Sequence, residues 1–266
     1  MLDQATPSPL AVLVCGVEHS GTTLVSDMLR QVEGLQGGFE GGVLLWNTPR
    51  EFAASADTPQ NPYFKTMAGG GWGVTETALR EACDTDDHAE FYRRLKAASD
   101  TIPEAARLFD KTPRYVAEIT TVSARAGHPP TIIIHKDPRS SVHSDLKRAA
   151  PDDALSWYDG YVETKLRYMR RCYEGYERGR DLLDNVLTVS LEDLAFDTRR
   201  TATRLYEHVG AEFRLDHLLL KKVPFGNTRA PFVSAPIVLE HLEGLPRPLS
   251  ERVRDDFKSL SDWFYD

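Results

Sequence analysis

Four apolar runs punctuate the chain: LAVLVC (10–15), RLFD (107–110), TIIIHK (131–136) and NVLTVS (185–190). They are short, barely alternate with polar residues, and each is followed by residues at helical spacing. Unbroken apolar runs of this length fit strands covered on both faces, as in a parallel sheet. The pattern predicts an α/β chain of three layers, a P-loop-type parallel sheet flanked by helices. Helices are expected around EFYRRLKAAS (90–99), over 154–179, and at LSERVRDDFKSLSDWF (249–264). The 154–179 helix is amphipathic and its tyrosines are expected to pack. SLEDLAFDTRRTATRLYEHVGAEF (190–213) reads as a helix start, an amphipathic helix and a glycine stop at Gly210. Between the first two runs, NTP, TPQNPY and AGGGWG signal turns. No repeat or low-complexity tract interrupts the pattern.

Composition narrows this picture. A chain of 266 residues can bury one substantial core, and a single domain is expected. A net charge of -8 argues against a nucleic-acid binder working through a basic surface, so any anion site is built locally. Cys15, Cys83 and Cys172 lie far apart, odd in number and without metal spacing, which points to a reduced compartment. Cys15 closes an apolar run and reads as a core thiol. The start MLDQATPSPLAVLV lacks the basic residues and long apolar run of a secretory signal, and no segment reaches membrane-span length. A cytoplasmic protein without a membrane span is expected.

Chemistry concentrates where strands end. CGVEHSGTT (15–23) passes from a strand through a glycine loop into LVSDMLRQV, and a loop feeding a helix N-terminus aims backbone N–H groups and the helix dipole at one spot. Gly16 and Gly21 permit the turn; Ser20, Thr22 and Thr23 offer hydroxyls. Thr22 stands where GxxxxGK[ST] loops carry lysine, which counts against ATP or GTP chemistry. HKDPRSSVHSDLKR (135–148) is a second basic element. With Pro138 opening a helix, Ser144 and Arg148 fall one turn apart and converge with Lys136 on one dianion. DKTPRY (110–115) is the third, with Lys111 expected on the same rim as Gly21.

CGVEHSGTT, FEGG, DKTPRY, KDPRSSVHSDLKR and SLEDLAFDTRRTATRLYEHVGAEF together resemble, in order and spacing, the sulfotransferases that use 3′-phosphoadenosine-5′-phosphosulfate (PAPS). The likeness runs over about 11–213 and is nearest to the tyrosylprotein, carbohydrate and bacterial branches. It implies that Gly16, Val17, Glu18, His19, Ser20, Gly21, Thr22 and Thr23 bind the 5′-phosphosulfate. It also implies that Lys136 and Ser144, with Arg148, bind the 3′-phosphate. Glu40 resembles the family's acidic base, and Lys111 its lysine on the transferring group, with His19 as a further charge stabiliser; no metal is implied. Lys222 and Arg229 would clamp over the cofactor from the 219–266 tail, and 41–105 would shape the site of a hydroxyl-bearing acceptor, whether carbohydrate, small molecule, lipid or peptide tyrosine.

Three departures are visible. His19 replaces the family's Arg or Lys before the Ser-Gly pair, Lys136 replaces a frequent arginine, and Leu191 replaces the tyrosine of a YEDL-like motif. Two other readings stand beside this one: a magnesium-dependent small-molecule kinase on a degenerate loop, with Asp137 as the metal acid, and a non-catalytic nucleotide-binding relic.

Overall fold

The structure, a computed structural model, describes residues 8–225 and 236–260. Its centre is a parallel sheet of five strands in the order β2-β3-β1-β4-β5. These are β1 (Leu10–Gly16), β2 (Leu35–Gln36), β3 (Arg107–Lys111), β4 (Thr131–His135) and β5 (Val186–Ser190). Helix α1 (Thr22–Leu29) follows β1, and α2 (Pro49–Ala54), α3 (Pro62–Thr66), α4 (Glu76–Ala82) and α5 (His88–Ala98) lie between β2 and β3. Next come α6 (Ile119–Arg125), α7 (Pro138–Ala149), α8 (Ala154–Leu182), α9 (Leu191–Phe196) and α10 (Thr198–His208). Helices α11 (Pro236–Gly244) and α12 (Arg247–Asp256) complete the described chain.

The two faces of the sheet explain why its strands lack alternation in sequence. Along β1, Leu13 and Cys15 join the core beneath α6, α8 and the 43–102 segment, whereas Val12 and Val14 join the opposite core beneath α1, α9 and α10. Every position is apolar because both sides are covered. Four strands and the three-layer α/β arrangement thus match the sequence reading, while β2, two residues long, is an addition to it.

Four helical expectations change in detail. The long helix α8 runs on to Leu182. The 190–213 segment divides at Asp197, which closes α9 and opens α10 with φ −124°, ψ 53°. Besides α5, which matches the helix expected around 90–99, the 41–105 segment carries α2, α3 and α4 where only turns were expected, with Thr48, Asn61, Thr75 and Asp87 each accepting a first-turn amide at its N-terminus. The last helix ends at Asp256, followed by a 3-10 turn over Lys258–Leu260. Residues 261–264 of the expected helix, and Arg229, lie outside the described residues.

Candidate functional site

Parallel strands leave their carboxyl ends on one rim, where open α/β sheets bind ligands. The glycine loop leaves β1 at that rim. Gly16 has φ +149°, and a Cβ there would lie 1.9 Å from the Ile134 carbonyl oxygen. Strand β4 therefore passes directly beneath the loop. Gly21 caps α1 in the left-handed region at φ +97°, and a Cβ on it would meet Leu191 at 2.8 Å. Leu191, at the YEDL-like position, thus serves as packing beneath the loop. Replacing Gly16 with alanine should cost about 3 kcal/mol or more by denaturant unfolding. Gly34→Ala, with φ +73° but nothing within 4 Å, should cost only about 1 kcal/mol.

Much of the loop's polarity braces it internally. The Ser20 hydroxyl is buried 2.6 Å from the Val17 carbonyl and 3.0 Å from that of Ile134. The Ser20 amide donates to Val17, the Val17 amide to Ile134, and the Glu18 amide to the Tyr168 hydroxyl on α8 at 3.1 Å. Glu18 also pairs with Arg114 at 3.1 Å. What such a loop offers an anion is the set of first α1 amides, at Thr22 and Thr23, which have no intrahelical acceptor.

The second strand end brings Glu40 and Lys111 together. The Lys111 side chain is 0 % exposed, and its Nζ donates to Glu40 Oε1 at 2.9 Å, lies 3.4 Å from Thr23 Oγ1, and stands 4.2 Å from the centre of the Phe39 ring. Burial lowers the Lys111 pKa, and Glu40 opposes that. The loop carrying Glu40 is held from both flanks. Buried Arg30 pairs with Asp27 and donates to the Gly37 and Gly38 carbonyls. Asp110 accepts from the Gly41 amide at 3.3 Å and Thr112 Oγ1 from the Gly42 amide at 3.0 Å. Asp110 also accepts from the Tyr92 and Tyr115 hydroxyls at 2.6 and 2.8 Å, and its burial raises its pKa against these bonds.

The third strand end holds the predicted dianion group. Pro138 opens α7, with Asp137 as its N-cap bonding the Arg139 amide at 2.7 Å. Lys136, 5 % exposed, donates to Ser144 Oγ at 2.9 Å, and Arg148 donates to the Ser144 carbonyl at 3.0 Å. Burial, set against the pull of Glu192, pushes Lys136 down to about 8.

His19 joins neither Glu40 nor Lys111. It is left-handed at φ +67°, and its Nε2 stands 3.6 Å from Asp145 Oδ1. Burial lowers its pKa, Arg148 and Lys165 push the same way, and Asp145 and Glu18 pull against them. Asp145 also accepts from Lys165 Nζ at 2.7 Å and from the Tyr161 hydroxyl. Burial would raise its pKa, but Lys165, Tyr161 and His19 outweigh it and hold it low. Lys165, Tyr161, Tyr168 and Asp145 are site residues the sequence reading missed. The signal was present: Lys165 falls on the buried stripe Tyr158, Val162, Lys165, Met169, Cys172, where a lysine needs a partner. Lys222 stands apart: exposed, its backbone bonds Gln31 beyond the far end of α1.

A family model described as "Sulfotransferase family" matches residues 9–214. Among solved structures, the sulfotransferase domain of the Synechococcus PCC 7002 olefin synthase superposes with TM-score 0.69 at 18% identity, covering 99% of this chain and 97% of that one. The sulfotransferase domain from the curacin biosynthetic pathway gives 0.65 at 14% identity, covering 95% and 98%. Sulfotransferase STF9 from Mycobacterium avium gives 0.51 at 12%, covering 98% and 78%. At these identities the likeness is one of fold. Among curated proteins, none matches the chain by sequence.

Proposed function

The chain belongs to the sulfotransferase family, and on that footing we propose that it moves a sulfuryl group from PAPS to an acceptor hydroxyl by in-line displacement. The observation that carries this reading is the Glu40–Lys111 pair, 2.9 Å across, with Lys111 3.4 Å from Thr23 on the first turn of α1. It puts a carboxylate and an ammonium beside the helix N-terminus that receives the anion.

The residues suit such a donor. The first-turn amides of α1 can receive one phosphate, and Lys136 with Ser144 offers a charged and a neutral donor 2.9 Å apart for a second. PAPS supplies an activated sulfuryl group whose departure leaves charge on the 5′-phosphate. Lys111 and the α1 amides stabilise that charge by standing in place before the reaction, as in phosphoryl transfer. Glu40 accepts the acceptor proton. Its Oε1 accepts from Lys111, which leaves Oε2 to take that proton as the acceptor oxygen bonds to sulfur and the bond from sulfur to the phosphate oxygen breaks. Lys165 and Arg148, ordered around Asp145, add to the field at the 3′-phosphate end, with His19 beside them as an imidazole whose charged form burial disfavours. The 41–105 segment shapes the acceptor site, whereas Lys222, exposed beyond the far end of α1, takes no part in covering the donor. Three buried free thiols fit a cytoplasmic setting, and no helix among the described residues is long and apolar enough to cross a membrane.

Thermal unfolding with 3′,5′-adenosine bisphosphate tests the reading. At about a thousand times its Kd the ligand adds roughly 4 kcal/mol, several degrees in Tm for a chain of this size, and it should do so without metal. A shift confined to ATP with magnesium would replace it with the kinase reading.

A further inference from the structure

Beside the Glu40 loop, at the β2 edge of the sheet, lies a cavity of about 590 Å³. That is within the range of roughly 300–1,000 Å³ typical of small-molecule sites. Phe39 and Phe225, their rings 5.4 Å apart and edge to face, line it together with Gln36, Thr66, Thr101 and the Gly69–Gly71 turn. Among the described residues, its lining carries no charged side chain.

Phe39 ties the cavity to the chemistry. Its ring is a cavity wall and also lies 4.2 Å from Lys111 Nζ, which bonds Glu40, the next residue in the chain. Its backbone is fixed to the Gly69–Gly71 turn and the residue after it: the Phe39 amide donates to the Gly71 carbonyl at 2.7 Å, and Trp72 Nε1 donates to the Phe39 carbonyl at 2.6 Å. A molecule resting against Phe39 is therefore one ring's width from the Glu40–Lys111 pair. Gly69 and Gly70 present bare backbone, with open space where a Cβ would stand.

We propose that this cavity receives the non-reacting part of the acceptor, and that this part is an uncharged apolar body of small-molecule size, a ring system or alkyl chain bearing the hydroxyl. The proposal rests on the sulfuryl-transfer reading. The described lining holds no charge to meet those of a charged peptide, and of its polar side chains Thr66 already donates to the Pro62 carbonyl at 3.0 Å and Thr101 stands 3.4 Å from Ser99 Oγ, which leaves Gln36 and the glycine backbone too few partners for a sugar's ring of hydroxyls. An apolar ring gains area and edge contacts instead.

The probe is 2-naphthol, titrated by equilibrium dialysis with the protein saturated in 3′,5′-adenosine bisphosphate so that no transfer follows. Gly69 lines the cavity at an ordinary φ of −77° with nothing within 4 Å of a Cβ, so leucine or phenylalanine is admitted there without backbone strain, unlike a change at Gly70, where φ is +101°. Naphthol should bind wild type saturably, at least tenfold more weakly to Gly69→Leu and Gly69→Phe, and unchanged to Gly160→Leu, on α8 with nothing within 4 Å. Methyl glucoside and a tyrosine peptide should not compete. Unaltered naphthol binding in both Gly69 variants, no naphthol binding to the nucleotide-loaded protein, or displacement by the glucoside or peptide would each overturn the assignment. Failure of the bisphosphate itself to bind would bring down the parent reading and this one with it.

Discussion

Glu40→Gln is expected to lower turnover by roughly 10²–10⁴-fold while leaving the Kd for 3′,5′-adenosine bisphosphate within about threefold of wild type. Glutamine keeps an oxygen able to accept from Lys111, so the loop geometry survives and the proton acceptor is lost. The surroundings make this substitution informative, because Arg30 on one side and Asp110 with Thr112 on the other fix the Glu40 loop independently of the carboxylate. A stability cost is also expected, since Lys111 is 0 % exposed and loses its counter-charge. It should fall below the approximately 3–5 kcal/mol of a broken buried pair, because Glu40 is 26 % exposed and partly screened. Single-turnover kinetics with a saturating alcohol separates the two effects. Unchanged turnover would remove Glu40 from the chemistry and leave it a counter-ion of Lys111.

Lys136→Met should act in opposite directions on binding and stability. Removing a buried charged donor costs about 2–5 kcal/mol of affinity, roughly 30- to 5,000-fold, and the loss should appear with the 3′,5′-bisphosphate but not with 5′-AMP. The ligand-free protein should unfold at the same or a higher temperature, since an ammonium held at a pKa of about 8 is one whose charge burial disfavours. The sign follows from linkage. Between about 8 and the ordinary 10.5 the unfolded chain holds the Lys136 proton more often than the folded one, so this lysine's unfavourable contribution, complete below pH 8, fades as pH rises through that window. Binding runs the other way. The phosphate needs the ammonium, so bisphosphate Kd should be level below pH 8 and climb about tenfold per pH unit above it. Lys136→Arg should flatten that climb, because a guanidinium stays charged. A Kd indifferent to pH in wild type would take the 3′-phosphate away from Lys136.

What could be read from the sequence divides along physical lines. Strands β1, β3, β4 and β5 were legible because burial on both faces leaves an unbroken apolar run. Strand β2 was not: two residues paired with Arg107 and Leu108 are too few to show a pattern. The break at Asp197 was written as Asp-Thr, an N-cap signal lying inside a continuous amphipathic stripe, and the stripe dominated the reading. Local motifs at strand ends singled out Lys111, Lys136 and Ser144, and the family resemblance singled out Glu40; the structure brings Lys111 to Glu40 and Lys136 to Ser144. Lys165 and Asp145 were not, because their significance lies in their meeting: twenty residues apart on different helices, they are 2.7 Å apart in space. His19 was located on the correct loop, but its neighbours were not those expected. Its left-handed backbone and the Asp145 carboxylate put it with the α7 and α8 cations rather than with Glu40.

Helix α1 touches both halves of this chemistry. Thr23 in its first turn stands beside Lys111, and Arg30, one residue past its last, grips the carbonyls of Gly37 and Gly38 below Glu40. Eight helical residues rise about 12 Å, so the spacing between donor loop and base loop is a rod of fixed length rather than an outcome of loop packing. The helix works as a gauge. Adding one residue to it would turn its far end by about 100° and carry the base loop off its mark.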